Sequence, residues 1–114
     1  MAYNAPLVLL AHDGGSDPRF TYANRQAQAL WELEWSAFIG MPSRLSAEPD
    51  QVAERQRLLD QARDHGVIRN YAGVRRSRTG KRFRIQGVCL WNVLDEHQTS
   101  IGQAAAFTQW SWLV

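Results

Sequence analysis

The sequence predicts an α+β fold built on an antiparallel sheet, from the order of its apolar segments and turns. Two short strand-like runs come first, three helical segments follow, and three longer strand-like runs fill the rest. This grouping favours antiparallel pairing, because parallel strands need a crossover helix between each consecutive pair. A length of 114 residues suffices for one core, so we expect residues 1–114 to form a single domain.

The first two strands are predicted as a hairpin over residues 7–11 and 20–23. The first run is continuously apolar, Leu-Val-Leu-Leu-Ala, so it needs apolar contacts on both faces. The connection contains Gly14, Gly15 and Pro18, which are typical of turns because they supply positive or fixed φ angles.

Helix caps place the three helical segments that follow. Asn24 is predicted to cap a helix over residues 25–34, since its side chain can accept a hydrogen bond from the first turn. Ser36 is predicted to open a short second helix. Ser46 is predicted to open a longer third helix that ends at Gly66.

Three strands are predicted for the last part of the chain, over residues 67–77, 82–94 and 100–109. A Thr-Gly turn joins the first two of them, and a polar turn joins the last two. The apolar residues 110–114 have no predicted partner.

The composition excludes several classes of protein. Apolar residues make up 45% of the chain and five are tryptophan, which argues against disorder. The single cysteine, Cys89, cannot form an intrachain disulfide, so we expect a reducing, cytoplasmic location. No apolar run approaches the ~18 residues of a membrane span, and no signal peptide is recognisable, so no membrane contact is expected.

Several runs of the sequence resemble the MEKHLA family, a PAS-like domain. They are Leu-Ala-His-Asp at 10–13, Asp-Pro-Arg-Phe-Thr-Tyr-Ala-Asn at 17–24, Ala-Leu-Trp-Glu at 29–32 and Met-Pro-Ser-Arg-Leu at 41–45. The resemblance covers nearly all of residues 7–110. It implies a PAS-like five-stranded antiparallel sheet with helices packed on one face. In function it implies a sensory or protein-interaction module of a signalling or regulatory system, and not an enzyme.

The chain departs from the family in two ways. Family members generally carry a helical segment upstream of the first strand, and here the first strand begins almost at once. The family also occurs at the end of plant homeodomain-leucine zipper regulators, whereas this sequence has no DNA-reading helix or zipper heptad.

A PAS-like sheet implies a cavity between the sheet and its helices, where small ligands bind. Strict alternation along the fourth strand would give it four inward side chains, and the helices and third strand would supply four aromatic ones. The eight predicted cavity residues are Phe83, Ile85, Cys89, Trp91, Trp31, Trp35, Phe38 and Tyr71. They either bind a small molecule or fill the core and leave no room for one.

Known PAS cofactors find little support in the sequence. Flavin-binding photosensory PAS domains place a reactive cysteine in an Asn-Cys-Arg-Phe helix motif, whereas Cys89 lies in the middle of a strand. Haem-binding PAS sensors use a histidine near the position of His65. A histidine at a helix C-terminus is stabilised by the helix dipole without any ligand role, so haem is disfavoured too.

Catalytic motifs are absent from the sequence, so we expect no enzymatic activity. No motif brings Cys89 to a histidine as a nucleophile pair. His12 and Asp13 precede two glycines, a pattern more typical of a capped turn than of an oriented base. No spacing of cysteine and histidine indicates a metal site.

Basic residues concentrate on the hairpin between the third and fourth strands. The hairpin forms either a surface for an anion or acidic partner, or a solvated face that pairs with the acidic third helix. The net charge of only +2 favours the solvated face and disfavours nucleic acid. The six residues are Arg75, Arg76, Arg78, Lys81, Arg82 and Arg84.

An apolar outer face of the sheet predicts self-association. On strict alternation Val88 and Leu90 point away from the helices, and Trp110 and Trp112 lie in the unpartnered end segment. An uncovered apolar surface usually marks an interface, so we expect a homodimer packed through the back of the sheet.

Overall fold

The sheet is antiparallel and carries its helices on one face, as predicted. The computed structural model describes residues 2–47 and 49–113. Within them the strands run in the order β2-β1-β5-β4-β3, and β6 extends the line of β5 alongside β4. The strands are β1 Val8–His12, β2 Phe20–Ala23, β3 Val67–Arg76, β4 Arg82–Leu94, β5 Ser100–Phe107 and β6 Gln109–Trp112; the helices are α1 Arg25–Trp31, α2 Trp35–Phe38 and α3 Val52–His65.

The helix boundaries differ from the prediction where local geometry intervenes. α1 ends at Trp31 because Glu32 adopts a left-handed conformation with φ of 59°. Ser36 lies inside α2, where Glu34 holds the N-cap position. Ser46 belongs to a separate 3₁₀ turn, and its hydroxyl donates to the Ser43 carbonyl, so it does not cap α3.

Asn24 joins three parts of the chain through one fully buried side chain. Its Oδ1 accepts from the amide of Ala27, which is the predicted N-cap bond, and also from the amide of Leu9 on β1. Its Nδ2 donates to the carbonyls of Leu7 and Ala2. The N-cap residue of α1 therefore also holds β1 and the segment before it in position.

A β-bulge at Gly87 reverses the alternation of β4. Gly87 has φ of +63°, a conformation that glycine adopts without strain. Tyr71 and Gly73 on β3 are two residues apart, whereas their partners Val88 and Ile85 are three apart. The extra residue moves every side chain after the bulge to the opposite face of the sheet.

Two face assignments were wrong because the bulge was not foreseen. Val88 and Leu90, predicted to form an exposed interface, are 0% and 2% exposed and belong to the core. Cys89 and Trp91, predicted to line the cavity, alternate with them and lie on the back of the sheet.

The apolar end segment also has a partner that the sequence did not reveal. β6 pairs with the first half of β4, with Trp112 opposite Phe83 and Trp110 opposite Ile85. Residues opposite each other in a sheet share a face, so both tryptophans lie on the side of the helices. The prediction that they form the back of the sheet was therefore wrong.

The basic hairpin does not present all its charges to solvent. Arg75 lies opposite Phe83 and is buried, because it shares the inward face of the sheet. Lys81 lies 3.8 Å from the carboxylate of Glu32, and the Nε of Arg78 donates to the Glu32 carbonyl.

Two acidic residues of α3 pair within their own helix, Glu54 with Arg57 and Asp60 with Arg63. For Glu54 and Asp60, the predicted pairing with the hairpin was therefore wrong. In the part of the chain that the structure describes, no helix has the length and apolarity to cross a bilayer.

Candidate ligand-binding cavity

A small cavity lies between α3 and the inward face of the sheet. Its volume is about 30 Å³, room for about two water molecules. Leu10, Ile85, Val88 and Phe107 give it apolar walls. Polar side chains also line it, and these groups decide what the cavity can hold: they are His12, Ser46, Arg55, Tyr71, Arg75 and Gln103.

The predicted cavity residues divide into three groups. Trp31, Tyr71 and Ile85 line the cavity. The two phenylalanines are fully buried behind the Trp31 ring, with Phe83 at 5.1 Å and Phe38 at 5.9 Å between ring centroids.

Trp35 is exposed and packs edge-on against Tyr22 at 5.7 Å between ring centroids, so its predicted place at the cavity was wrong. The cause is its position at the first residue of α2, from which it covers Tyr22 on the outer side of β2. With Cys89 and Trp91 on the back of the sheet, three of the eight residues lie away from the cavity.

His12 is a cavity residue that the sequence reasoning assigned to a turn. It ends β1 with its side chain 4% exposed, and its Nδ1 accepts a hydrogen bond of 3.0 Å from the amide of Gly14. Nε2 is buried and has no hydrogen-bond partner among the described residues. Burial, and then the nearby charge of Arg55, lower the pKa of His12 to about 4. At neutral pH the ring is therefore uncharged and Nε2 carries the proton.

Arg55 is the second residue that the sequence reasoning missed. It lies on α3, is 8% exposed, and lines the cavity. Burial, and then the charge of Arg75, lower its pKa to about 10, so the guanidinium remains charged at neutral pH. No described carboxylate lines the cavity with it.

Arg75 completes the polar wall from the β3 side. Its Nη1 donates to the Val74 carbonyl at 2.9 Å and its Nη2 to the hydroxyl of Tyr71 at 3.3 Å. Gly73 leaves space for this arrangement, since a Cβ there would lie 2.8 Å from Nη1. Two guanidinium groups thus share one buried space, where like charges destabilise each other.

The spacing of apolar residues around His12 and Arg55 indicates that both side chains point inward. His12 follows Val8 and Leu10 at a spacing of two, so it shares their inward face. Arg55 precedes Leu59 and Ala62 at helical spacing, which places it on the buried stripe of α3. A basic residue on an apolar stripe is unusual and indicates a polar site inside the fold.

Neither of the two residues considered for cofactor binding, His65 and Cys89, lines this cavity. His65 is exposed at the end of α3, and Cys89 lies across the sheet from the cavity. Among the described residues no three histidine, cysteine or acidic side chains converge to hold a metal ion.

The back of the sheet carries a continuous apolar surface, which we call the sheet-back patch. Its members face away from the helices because they are paired across β1, β5 and β4 and alternate with core residues. The patch consists of Leu9, Ala11, Cys89, Trp91, Ala104 and Ala106. No charged residue is among them, and the residues before β1 pack against α1 and α2 instead.

Solved PAS domains share this architecture. A PAS domain from Colwellia psychrerythraea matches with a TM-score of 0.80 and 11% identity, over 91% of this chain and 86% of that one. A PAS domain from a two-component sensor histidine kinase matches with a TM-score of 0.73 and 15% identity, over 98% and 89%. The LOV protein of Rhodobacter sphaeroides matches with a TM-score of 0.75 and 11% identity, over 91% and 59%. At these identities the likeness establishes the PAS fold.

The sequence also matches a family model. The model described as the MEKHLA domain covers residues 1–112, which is nearly the whole chain. A search of curated protein sequences gave no match. The family suggested by the short sequence runs is therefore confirmed.

Proposed function

This chain belongs to the MEKHLA domain family, and we propose on that basis that it is a non-catalytic sensory or protein-interaction module of a signalling or regulatory system. One of the similar structures is described as a PAS domain of a two-component sensor histidine kinase, which supports a role beside a signalling protein. The observation that carries the proposal is the sheet-back patch, because an interaction module needs a docking surface.

The occupant that we propose for the sheet-back patch is a second copy of the chain. The patch is apolar and uncharged, and such a surface can pair with a second copy of itself across a two-fold axis. Trp91 is its largest side chain, and tryptophan often dominates the binding energy of an interface. A homodimer through this face differs from the predicted interface residues but keeps the predicted side of the sheet.

Trp91→Glu is expected to convert the dimer to a monomer. A carboxylate in the centre of an apolar interface loses its hydration without gaining a partner, which weakens association by at least about tenfold. Sedimentation at tens of micromolar, roughly the range of weak dimers, measures the change. Leu45→Glu is the matched control, since Leu45 is exposed but lies outside the patch. A wild-type chain that sediments as a monomer at this concentration would refute the proposed dimer.

The non-catalytic role rests on the separation of the reactive groups. Cys89 faces the back of the sheet, whereas His12 faces the cavity, so the two cannot act as a nucleophile and its base. A nucleic-acid role is disfavoured because Arg75 is buried and Lys81 and Arg78 contact Glu32. A cytoplasmic location is proposed because the chain has a single cysteine and therefore no intrachain disulfide, which is typical of proteins from reducing compartments.

The second candidate function is the binding of a small molecule in the cavity. The observation that favours it is the buried Nε2 of His12, which has no partner among the described residues and lines the cavity together with the guanidinium of Arg55. Native mass spectrometry of the chain with candidate small molecules added in excess tests it, with a saturable adduct as the expected result.

A further inference from the structure

We propose that the cavity binds a small carboxylate anion, of the size of formate or acetate, between Arg55, Arg75 and the Nε2–H of His12. The inference rests on the second candidate function, ligand binding, and names the chemical class of the ligand.

The charge inside the cavity argues for an anion. Arg55 and Arg75 both line it, both are buried, and no described acidic side chain faces them there. The nearest acidic neighbour of His12 in sequence, Asp13, is exposed and accepts hydrogen bonds from the amides of Gly15 and Arg19. Water can hydrate two buried cations, but it cannot neutralise them, and an unpaired buried charge is strongly unfavourable.

The hydrogen-bonding groups argue for an acceptor. Arg55 has five N–H donors and makes no hydrogen bond to a described residue. The amide of Gly14 occupies Nδ1 of His12, so Nε2 can only donate. The hydroxyl of Tyr71 accepts from Arg75, which leaves its own proton free to donate. A carboxylate accepts from several such donors at once, and its charge makes each of these hydrogen bonds stronger than a bond to a neutral acceptor.

The size and walls of the cavity argue for a short carboxylate. A volume of about 30 Å³ excludes flavin, haem and nucleotides. Guanidinium groups bind planar carboxylates through paired hydrogen bonds. The apolar side chains of Leu10, Val88 and Phe107 provide contacts for a methyl group on the other side of the cavity.

Titration of the 114-residue chain with sodium acetate, followed by amide NMR, tests the proposal. We expect saturable shifts of the Gly14 amide and the Trp31 indole, with a Kd of about 1 mM, because so few ligand atoms limit the affinity. Acetamide has the same shape without the charge, and sodium chloride matches the ionic strength. Neither is expected to give the saturable shifts. An equal response to acetamide or to chloride would overturn the proposal, as would no response to formate or acetate.

Variants locate the site. Arg55→Met removes the cation but keeps an unbranched apolar stem, and it is expected to weaken acetate binding at least about tenfold. Arg84→Met removes an exposed arginine of β4 and is expected to leave binding unchanged. His12→Asn keeps an acceptor for the Gly14 amide without the Nε2 donor, and it gives a second test if Arg55→Met does not fold. Unchanged binding in the folded cavity variants would contradict the assigned site.

Native mass spectrometry separates failure of this inference from failure of ligand binding itself. If a molecule of another class is bound and acetate has no effect, the carboxylate class is wrong and ligand binding stands. If nothing is bound and no carboxylate has an effect, both are wrong, and the dimer proposal is untouched.

Discussion

Replacing Asn24 with alanine is expected to lower the free energy of unfolding by about 3 kcal/mol, the largest effect of any single polar substitution that we foresee. The side chain is fully buried, and it makes hydrogen bonds with the amides of Ala27 and Leu9 and the carbonyls of Leu7 and Ala2. Alanine leaves these backbone groups without partners where water has little access. Urea denaturation followed by tryptophan fluorescence measures the loss.

Asn24→Asp is the informative control for this prediction. A carboxylate still accepts from the amides of Ala27 and Leu9, but it cannot donate to the carbonyls of Leu7 and Ala2. Because the buried carboxylate also faces those two carbonyl oxygens without a counter-charge, we expect Asn24→Asp to lose at least as much stability as Asn24→Ala at neutral pH. If Asn24→Ala loses less than about 1 kcal/mol, the value of an isolated N-cap, the additional bonds to β1 and the segment before it contribute nothing.

Acidification from pH 7.5 to 5.0 is expected to lower the free energy of unfolding by about 2 kcal/mol through His12 alone. The folded-state pKa of His12 is about 4 and its ordinary value is 6.5. Between these values the unfolded chain binds a proton that the folded chain does not. The stabilisation is therefore complete above pH 6.5 and is lost as the pH falls toward 4.

The charged groups around His12 determine the direction of this effect. The burial of the ring is the largest cause, the positive charge of Arg55 acts in the same direction, and Asp13 opposes both weakly. Arg75 and Tyr71 line the same cavity. A bound carboxylate would raise the pKa of His12 and reduce the pH dependence, because it stabilises the imidazolium.

His12→Asn is the control that isolates the histidine. Asparagine does not titrate, so the variant is expected to lose the slope of stability against pH between 7.5 and 5.0. The carboxyl groups whose pKa is lowered, Asp13, Glu32 and Glu54, lose their stabilising charge only below about pH 4.5 and do not contribute in this window. An equal slope in wild type and His12→Asn would show that another group titrates.

The elements that the sequence predicted correctly depend on local chemistry. β4 begins and ends where predicted, at Arg82 and Leu94, because turn residues flank a long run of strand formers. The N-cap bond of Asn24 and the termination of α3 at Gly66, with φ of 91°, follow from the same kind of signal. Each of these features involves residues within a few positions of one another.

The errors on β4 and β6 have one cause in common, which is that side-chain direction depends on strand register and pairing. Gly87 occurs where the alternation looks regular, and only its pairing with β3 shows the bulge. One extra residue moved Val88 and Leu90 into the core and Cys89 and Trp91 out of it. The pairing of β6 with β4, which brings Trp110 and Trp112 to the side of the helices, likewise depends on contacts between distant residues.

The sequence by itself determined the α+β class, the element order, the family and the presence of a basic hairpin, because local patterning and short motifs encode them. Only the tertiary structure decided that the side chain of Arg75 points from that hairpin into the interior. There it lines one cavity with Arg55 and His12. These three residues are separated by 20 or more positions and have no common motif. They meet because the bulged sheet and α3 enclose one small space, and burial turns three ordinary basic side chains into a site for an anion.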